Sequence, residues 1–405
     1  VNSLCRFRFS GVKPAFFRTA RPTWRISKIS NFCRQTFTAL QHPRLNVLPM
    51  RLLLVTDAWE PQTNGVVNTL RETCRELVAM GITVERISPE RFRTIACPSY
   101  PEIRLAVLAQ REVDATFCRV VPEAVHIATE GPLGHAARAS CLRLGMRFTT
   151  SYHTRFPEYL RARWPLPLDV SYRYLRWFHG AAAHTMVATS SMELALRARG
   201  FRNLRRWSRG VDTLRFRPNP DRPATDAPTF VFVGRVAIEK NVEAFLATPL
   251  PGRKLVVGDG PARPALQARY PDVRFAGMLK GDALVDAVAG ADVMVFPSRT
   301  DTFGLVMLEA MACGTPVAAY PVTGPLDVVE HGVTGWLAED LGEAAARALQ
   351  IDRTACRRAA EGKSWHAAAM QFLANLVPSR AVPHSLPPRV PRIRKTGLQH
   401  AGPAR

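Results

Sequence analysis

Along the chain the hydrophobic positions fall into two series of the same kind. Directly after Met50 comes a continuous apolar run, RLLLVT, then an amphipathic stretch, VVNTLRETCRELVAMG, then ITVERI. Short β-branched runs alternating with helical periodicity predict strands of a parallel sheet joined by crossover helices. The pattern restarts with TFVFVG (229–234), KLVVG (254–258), DVMVFP (292–297) and TPVAAY (315–320), which predict a second sheet. Between the two series lies FRPNPDRPATDAP, too rich in chain breakers for a core element and therefore read as an interdomain linker. Two doubly wound α/β domains joined in this way gather their strand C-termini around a common cleft, where a ligand is expected. Sustained periodicity is missing from residues 1–49, and the segment beginning VPSRAVPHSLPP is Pro- and Arg-rich with little to bury. The expected organisation is a disordered or non-native extension over 1–49 and a first, acceptor-side domain over 50–215. A second domain over 216–362 follows, then a helix over 363–377 that crosses back to the first domain, and a disordered basic tail over 378–405.

Composition agrees with this division. A chain of 405 residues exceeds what one core organises, and 47% hydrophobic with 22% charged residues is ordinary for a globular protein. No run of about 18 apolar residues is free of charge, so any membrane contact is expected to be peripheral. The eight cysteines are scattered without a C-x-x-C pair, as inert thiols of a reducing cytosol would be. The net charge of +22 by itself points to nucleic acid or an anionic membrane, but residues 1–49 carry nine of those charges and 378–405 carry six, which leaves seven on the body. No nucleic-acid partner is expected. The acid-free first segment has the composition of an organellar transit peptide and equally that of a stretch upstream of a misassigned start; with Val at position 1 the second reading is preferred, and the location expected is cytoplasmic, at most peripheral at the inner face of the membrane.

Chemistry concentrates where strands end. After the first strand, Asn64-Gly65 makes a tight turn before a helix; Gly65 lets a phosphate approach that helix N-terminus, or the turn is a plain connection. FTTSYHTRFPEYL sets His153 just past an apolar strand, able to donate to a sugar or phosphate or simply to pack. EGPLG reads as a turn capping a helix that also borders the cleft. In the second series, Gly234-Arg235 ends a strand and Lys240 follows five residues on; two cations there suit a diphosphate that gains charge as its sugar departs, or form a solvated pair. PSRTDTFGLVMLEAMACGTPVAAY carries Asp301 and Glu309 eight residues apart, with the Phe303-Gly304-Leu305 turn and a helix start between them. Backbone N–H groups there face phosphate while the carboxylates accept from sugar hydroxyls. YLRARWPLPLDVSYRYLRWFHG interleaves Arg with aromatics and reads either as a face for an anionic membrane beside a lipid acceptor or as a helix pair with its aromatics in the core.

In order and spacing, MRLLLVTDAWEPQTNGVVNTL, CPSYPEIRL, EGPLG, SYHTRFPEY, RGVDTLRFRP, VGRVAIEKN, VGDGPA and PSRTDTFGLVMLEAMACGTPVAAYPV resemble family 4 of the retaining glycosyltransferases, from Met50 to about Pro378. They are most similar to its GDP-mannose-dependent alpha-mannosyltransferase branch, close to sulfoquinovosyl-diacylglycerol synthases. The resemblance implies the GT-B fold, two Rossmann-like α/β domains facing a cleft. It implies that Gly65 lies near the donor phosphate, that His153 contacts the transferred sugar, and that Arg235 and Lys240 bind the diphosphate beside Gly234. It further implies that Phe303, Gly304 and Leu305 supply phosphate-facing backbone, that Asp301 meets sugar hydroxyls, and that Glu309 holds the ribose. Many relatives have Glu where this chain has Asp301, a carboxylate one methylene shorter, which bears on the sugar stereochemistry it reads. The reaction implied is hexosyl transfer, mannose from GDP-mannose or a sugar from a UDP donor, to a lipid or saccharide hydroxyl by front-face displacement, with no cofactor and no metal. The other readings are a UDP-sugar-dependent glycolipid synthase, an epimerase or phosphorylase of similar fold, and a basic non-catalytic binding module.

Overall fold

The structure, a computed structural model, describes residues 50–97, 100–164, 166–222 and 226–379. The first series of elements begins with β1 (Arg51–Val55) and β2 (Thr83–Ile87), continues through an antiparallel hairpin of β3 (Thr94–Cys97) and β4 (Tyr100–Ala106), and ends with β5 (Ala124–Ile127), β6 (Thr149–Tyr152), β7 (His184–Val187) and β8 (Leu204–Arg206). Six of these form a parallel sheet in the order β2-β1-β5-β6-β7-β8. The second series is β9 (Thr229–Val233), β10 (Arg253–Val257), β11 (Arg274–Gly277), β12 (Val293–Phe296), β13 (Val317–Ala319) and β14 (Gly335–Leu337), parallel in the order β11-β10-β9-β12-β13-β14.

The apolar runs are continuous because both faces of each sheet are covered. In β1, Leu53 and Val55 enter one cluster with Phe117, Leu133 and Phe148, while Leu52 and Leu54 enter another with Leu70, Trp207 and Phe372. In β9, Phe230 and Phe232 pack on one side and Val231 and Val233 on the other. Side chains alternate faces along a strand, so a doubly covered strand has no polar position to spare. Strand order reverses between β1 and β5 and again between β9 and β12; the loops leaving those strand C-termini open a crevice that the rest of each sheet closes.

Helix starts follow local chemistry. Asn64 Oδ1 accepts from Val66 N and Val67 N, both at 3.0 Å, and so fixes the first turn of the Gly65–Ala79 helix. The Trp365–Asn375 helix, capped by Ser364, packs on the Gly65–Ala79 helix in the first lobe: Phe372 joins the β1 core and Asn375 Nδ2 donates to Arg206 O at 2.7 Å. Residues 378 and 379, expected in the tail, are placed against the first lobe. Pro378 pairs with Ala124, and Ser379 N donates to Glu123 O at 2.8 Å, because the free edge of the polypeptide beside β5 offers a backbone acceptor. The extension over 1–49 and the tail from 380 lie outside the described residues. Among the described residues no helix is long and apolar enough to cross a membrane.

Candidate active site

In the second lobe the loop after β9 carries Arg235, half-buried at the strand end, and then a 3-10 turn, Ile238–Lys240, that swings Lys240 inward. Its Nζ donates to Asp301 Oδ1 at 2.5 Å, so two residues 61 apart in sequence meet at the mouth of the β9/β12 switch point. Burial works to lower the Lys240 pKa, but Asp301, Tyr159 and Glu239 outweigh it and the net shift is upward; the ammonium stays charged. The other oxygen, Asp301 Oδ2, is buried with no hydrogen-bond partner. A buried carboxylate oxygen left unmatched is costly, and Asp301 Oδ2 retains its capacity to accept. Tyr159, from the first lobe, stands against the same pair; burial pushes its phenol up to about 12, so it is a neutral donor there.

Past Asp301 the chain turns through Thr302-Phe303-Gly304 into the Leu305–Ala312 helix. Gly304 has φ +83° and a Cβ would lie 2.7 Å from Met307 and 2.8 Å from the Phe296 ring, so only glycine makes this turn. No side chain caps that helix, and its first N–H groups point out of the turn. Opposite it is Gly65, where an added Cβ would stand 3.7 Å from Leu305 Cδ1. Two helix N-termini, one from each lobe, therefore converge; the Gly65–Ala79 helix already gives two N–H groups to Asn64, while the Leu305–Ala312 helix has no side-chain cap. Gly234 lies under this arrangement: its carbonyl oxygen would be 1.8 Å from any Cβ on Gly258, which lets the loops after β9 and β10 stack without a gap.

Glu309 lies one turn into the helix. It faces a cavity of about 30 Å³ lined by Asn68, Arg71 and Glu72 of the first-lobe helix and by Arg215 and Trp365. Burial pushes its carboxyl up to about 7 against the pull of Arg215.

His153 occupies its strand end, but both ring nitrogens are engaged within the protein. Nε2 lies 2.8 Å from Ser151 Oγ and Nδ1 3.3 Å from Arg209 Nη2, while its carbonyl accepts from Thr302 Oγ1 of the second lobe at 2.7 Å. A guanidinium only donates, so Nδ1 is the acceptor and the ring proton sits on Nε2, bonded to Ser151. Burial, then Arg209, His126 and His179, hold the imidazole well below its ordinary pKa. A sugar hydroxyl that bonds a ring nitrogen must displace Ser151 or Arg209. Arg209 is itself 4% exposed, donates to Trp207 O and Ser208 O, and is brought by burial down to about 9.

The helix after EGPLG behaves differently from its reading as a cleft-facing N-terminus. The Asp57 carboxylate already fills it, accepting from Leu133 N at 2.9 Å and from Thr129 Oγ1 at 2.8 Å. An internal anion satisfies the end that an external one would have used. Tyr159 beside Lys240 and Asp301, Arg209 beside His153 and Arg215 beside Glu309 carry no role in the sequence reading. All three lie in segments that carry the resemblance, Tyr159 in SYHTRFPEY and Arg209 and Arg215 in RGVDTLRFRP.

Residues 63–215 match the family described as Glycosyltransferase Family 4, and residues 227–352 match Glycosyl transferases group 1. A GDP-mannose-dependent alpha-mannosyltransferase of Mycobacterium tuberculosis is 30% identical over 78% of this chain and 93% of its own length. The chain belongs to glycosyltransferase family 4. Another family 4 relative, the GDP-mannose-dependent alpha-mannosyltransferase of Corynebacterium glutamicum, is 29% identical over 84% of this chain and 92% of its length. The sulfoquinovosyl transferase SQD2 of Arabidopsis thaliana is 30% identical over 68% of this chain and 60% of its own. Among solved structures, sucrose-phosphate synthase of Thermosynechococcus elongatus superposes with a TM-score of 0.66 at 21% identity, covering 80% of this chain and 98% of that one. Anabaena HepE in complex with UDP and glucose gives 0.61 at 16% identity over 80% and 98%. The fold of this glycosyltransferase is GT-B, two parallel-sheet Rossmann-like lobes facing a cleft.

Proposed function

We propose that this glycosyltransferase transfers a mannosyl group from GDP-mannose to a lipid or saccharide hydroxyl with retention of configuration. The observation that carries the reading is the Lys240–Asp301 pair with Asp301 Oδ2 left open. An ammonium has three protons and Asp301 uses one, so Lys240 still has two for a diphosphate, while the open oxygen accepts from a sugar hydroxyl. Arg235 and the N-terminus of the Leu305–Ala312 helix add positive potential on the same side. In the step proposed, the bond from the anomeric carbon to the β-phosphate oxygen breaks and the acceptor oxygen bonds that carbon on the same face. The acceptor proton passes to the departing phosphate, and GDP leaves. Charge developing on that phosphate is what the cations and the helix end stabilise, and His153, neutral and internally bonded, is not asked to carry a proton.

Support for the guanosine donor comes from the relatives named for it in Corynebacterium and Mycobacterium. A UDP-sugar donor is the second reading, favoured by the GT-B neighbour that holds UDP and glucose. Isothermal titration of the full chain with GDP-mannose and with UDP-glucose separates them. GDP-mannose is expected to bind at least tenfold tighter, and Lys240→Ala to weaken it by at least tenfold; unchanged affinity in Lys240→Ala removes the basis of the proposal.

A further inference from the structure

Arg209, just past β8, is the most deeply buried arginine among the described residues. Its loop is fixed from both sides by the helix that crosses back to the first lobe. Ser208 N donates to Gln371 Oε1 at 2.9 Å, and a Cβ on Gly210 would come within 2.3 Å of Trp365 N. The fully buried Trp207 ring lies 4.3 Å under the guanidinium. Nη1 donates to Trp207 O at 2.6 Å and to Ser208 O at 3.1 Å, and Nη2 to His153 Nδ1 at 3.3 Å. Three of its five N–H groups are thereby used, and every acceptor is uncharged. Lys240, Arg163 and Arg155, also at the seam between the lobes, each meet a carboxylate: Asp301 at 2.5 Å, Glu239 at 2.7 Å and Glu158 at 2.8 Å. Among the described residues no carboxylate pairs with Arg209. Burial brings it down to about 9, which still leaves it charged at neutral pH.

A buried cation without a counter-ion is costly, and a ligand that brings the anion removes the cost. The position of Arg209 specifies which anion. Gly210, the next residue, lines the cavity beside Glu309, and His153, to which Arg209 is bonded, accepts through its carbonyl from Thr302, the neighbour of Asp301. Arg209 thus adjoins both the carboxylate proposed for the ribose and the one proposed for the sugar. In a nucleotide sugar the group between ribose and sugar is the diphosphate. We propose that Arg209 is a ligand of the donor diphosphate from the first lobe, opposite Arg235 and Lys240 of the second. This assignment rests on the transferase reading above. Two N–H groups of the guanidinium remain for phosphate oxygens, which its planar fork suits, and the clamped loop holds the charge in place before the donor arrives.

The test compares affinities of the full chain for guanosine, GDP and GDP-mannose, by calorimetry and, for guanosine, by ligand-detected NMR. Arg209→Gln is expected to weaken GDP and GDP-mannose at least tenfold and guanosine less than twofold, with Arg209→Lys recovering most of the loss because it keeps the charge. In urea without ligand, Arg209→Gln should unfold at or above the wild-type midpoint, since it removes an unmatched buried charge. An arginine that only ties the carbonyls of its own loop would instead lower that midpoint and weaken guanosine as much as GDP, and that result overturns the proposal. So does a variant that loses GDP-mannose while holding GDP as the wild type does, because the cation then reads the sugar. Affinity for all three ligands unchanged in Arg209→Gln, beside a tenfold loss in Lys240→Ala, removes the Arg209 assignment and leaves the transferase reading standing. Wild-type protein that binds none of the three but binds inorganic pyrophosphate through Arg209 would sink the donor reading and keep Arg209 as a diphosphate ligand.

Discussion

At the scale of single residues the titration of Glu309 is the sharpest handle. Its carboxyl is raised from 4.5 to about 7 by burial, so near neutrality half of the molecules carry it protonated. An acid whose folded pKa is raised costs nothing below about 4.5, where both states are protonated, costs progressively more as pH climbs from 4.5 to about 7, and keeps its full cost above that; a shift of this size corresponds to about 3 kcal/mol at most. A ribose diol that donates to the ionised form draws the pKa back down, so GDP-mannose should bind about tenfold tighter at pH 8 than at pH 6. The sugar nucleotide is the right probe because its diphosphate diester does not titrate there. Calorimetry at the two pH values checks this, and Glu309→Gln should flatten the dependence; a wild-type affinity that does not move with pH means Glu309 does not hold the ribose. The sequence spacing located Glu309 on the turn after Gly304 but not its neighbours. Arg215 and Arg71 reach it only through the fold, just as Arg209 reaches His153 across 56 residues, and no local pattern encodes such a meeting.

At the scale of elements, Asp57 shows how a strand end can serve the scaffold instead of the ligand. It takes the first N–H groups of the Pro132–Arg143 helix, whose Leu133, Ala136, Ala137 and Cys141 are buried. Burial raises its pKa against the hydrogen bonds from Leu133, Thr129 and Gly134 that lower it. Asp57→Ala strands buried donors and is expected to cost about 2 kcal/mol in urea denaturation, Asp57→Asn less, with GDP-mannose affinity changing less than threefold in either. A large loss of affinity at full stability would reassign Asp57 to the donor site. The long apolar runs β1, β9, β10, β12 and β13 were legible because burial on both faces leaves nothing but apolar letters. The strands that were not read, β5, β7, β8, β11 and β14, are three or four residues long and carry AVHI, HTMV, LRR, RFAG and GWL, too short for periodicity, and the last three are half-exposed at sheet edges. The β3–β4 hairpin was missed because its alternation is interrupted by Pro98 and Pro101.

At the scale of the molecule the two lobes are joined by direct bonds that the donor must negotiate. Thr302 bonds to His153 O and accepts from Thr189 Oγ1 at 3.3 Å, Arg163 Nη2 meets Glu239 Oε2 at 2.7 Å, and Ser191 N donates to Asp327 Oδ1 at 3.0 Å. The cavity beside Glu309 holds about 30 Å³, whereas small-molecule pockets span roughly 300–1,000 Å³, so the proposed nucleoside contact with Glu309 requires the lobes to part. Of these ties, Asp327 on the N-terminus of the Ser190–Ala198 helix is the one whose loss strands no buried charge and touches none of the proposed donor contacts. A carboxylate at an exposed helix end is worth about 0.3–1 kcal/mol, so Asp327→Ala should raise the parted fraction by about two- to fivefold. If parting gates access, the association rate constant for GDP-mannose in stopped-flow rises by the same factor, and small-angle scattering shows a larger radius of gyration in the variant. An unchanged association rate alongside a larger radius would mean that the donor threads in by another route, with the seam between His153 and Thr302 remaining shut.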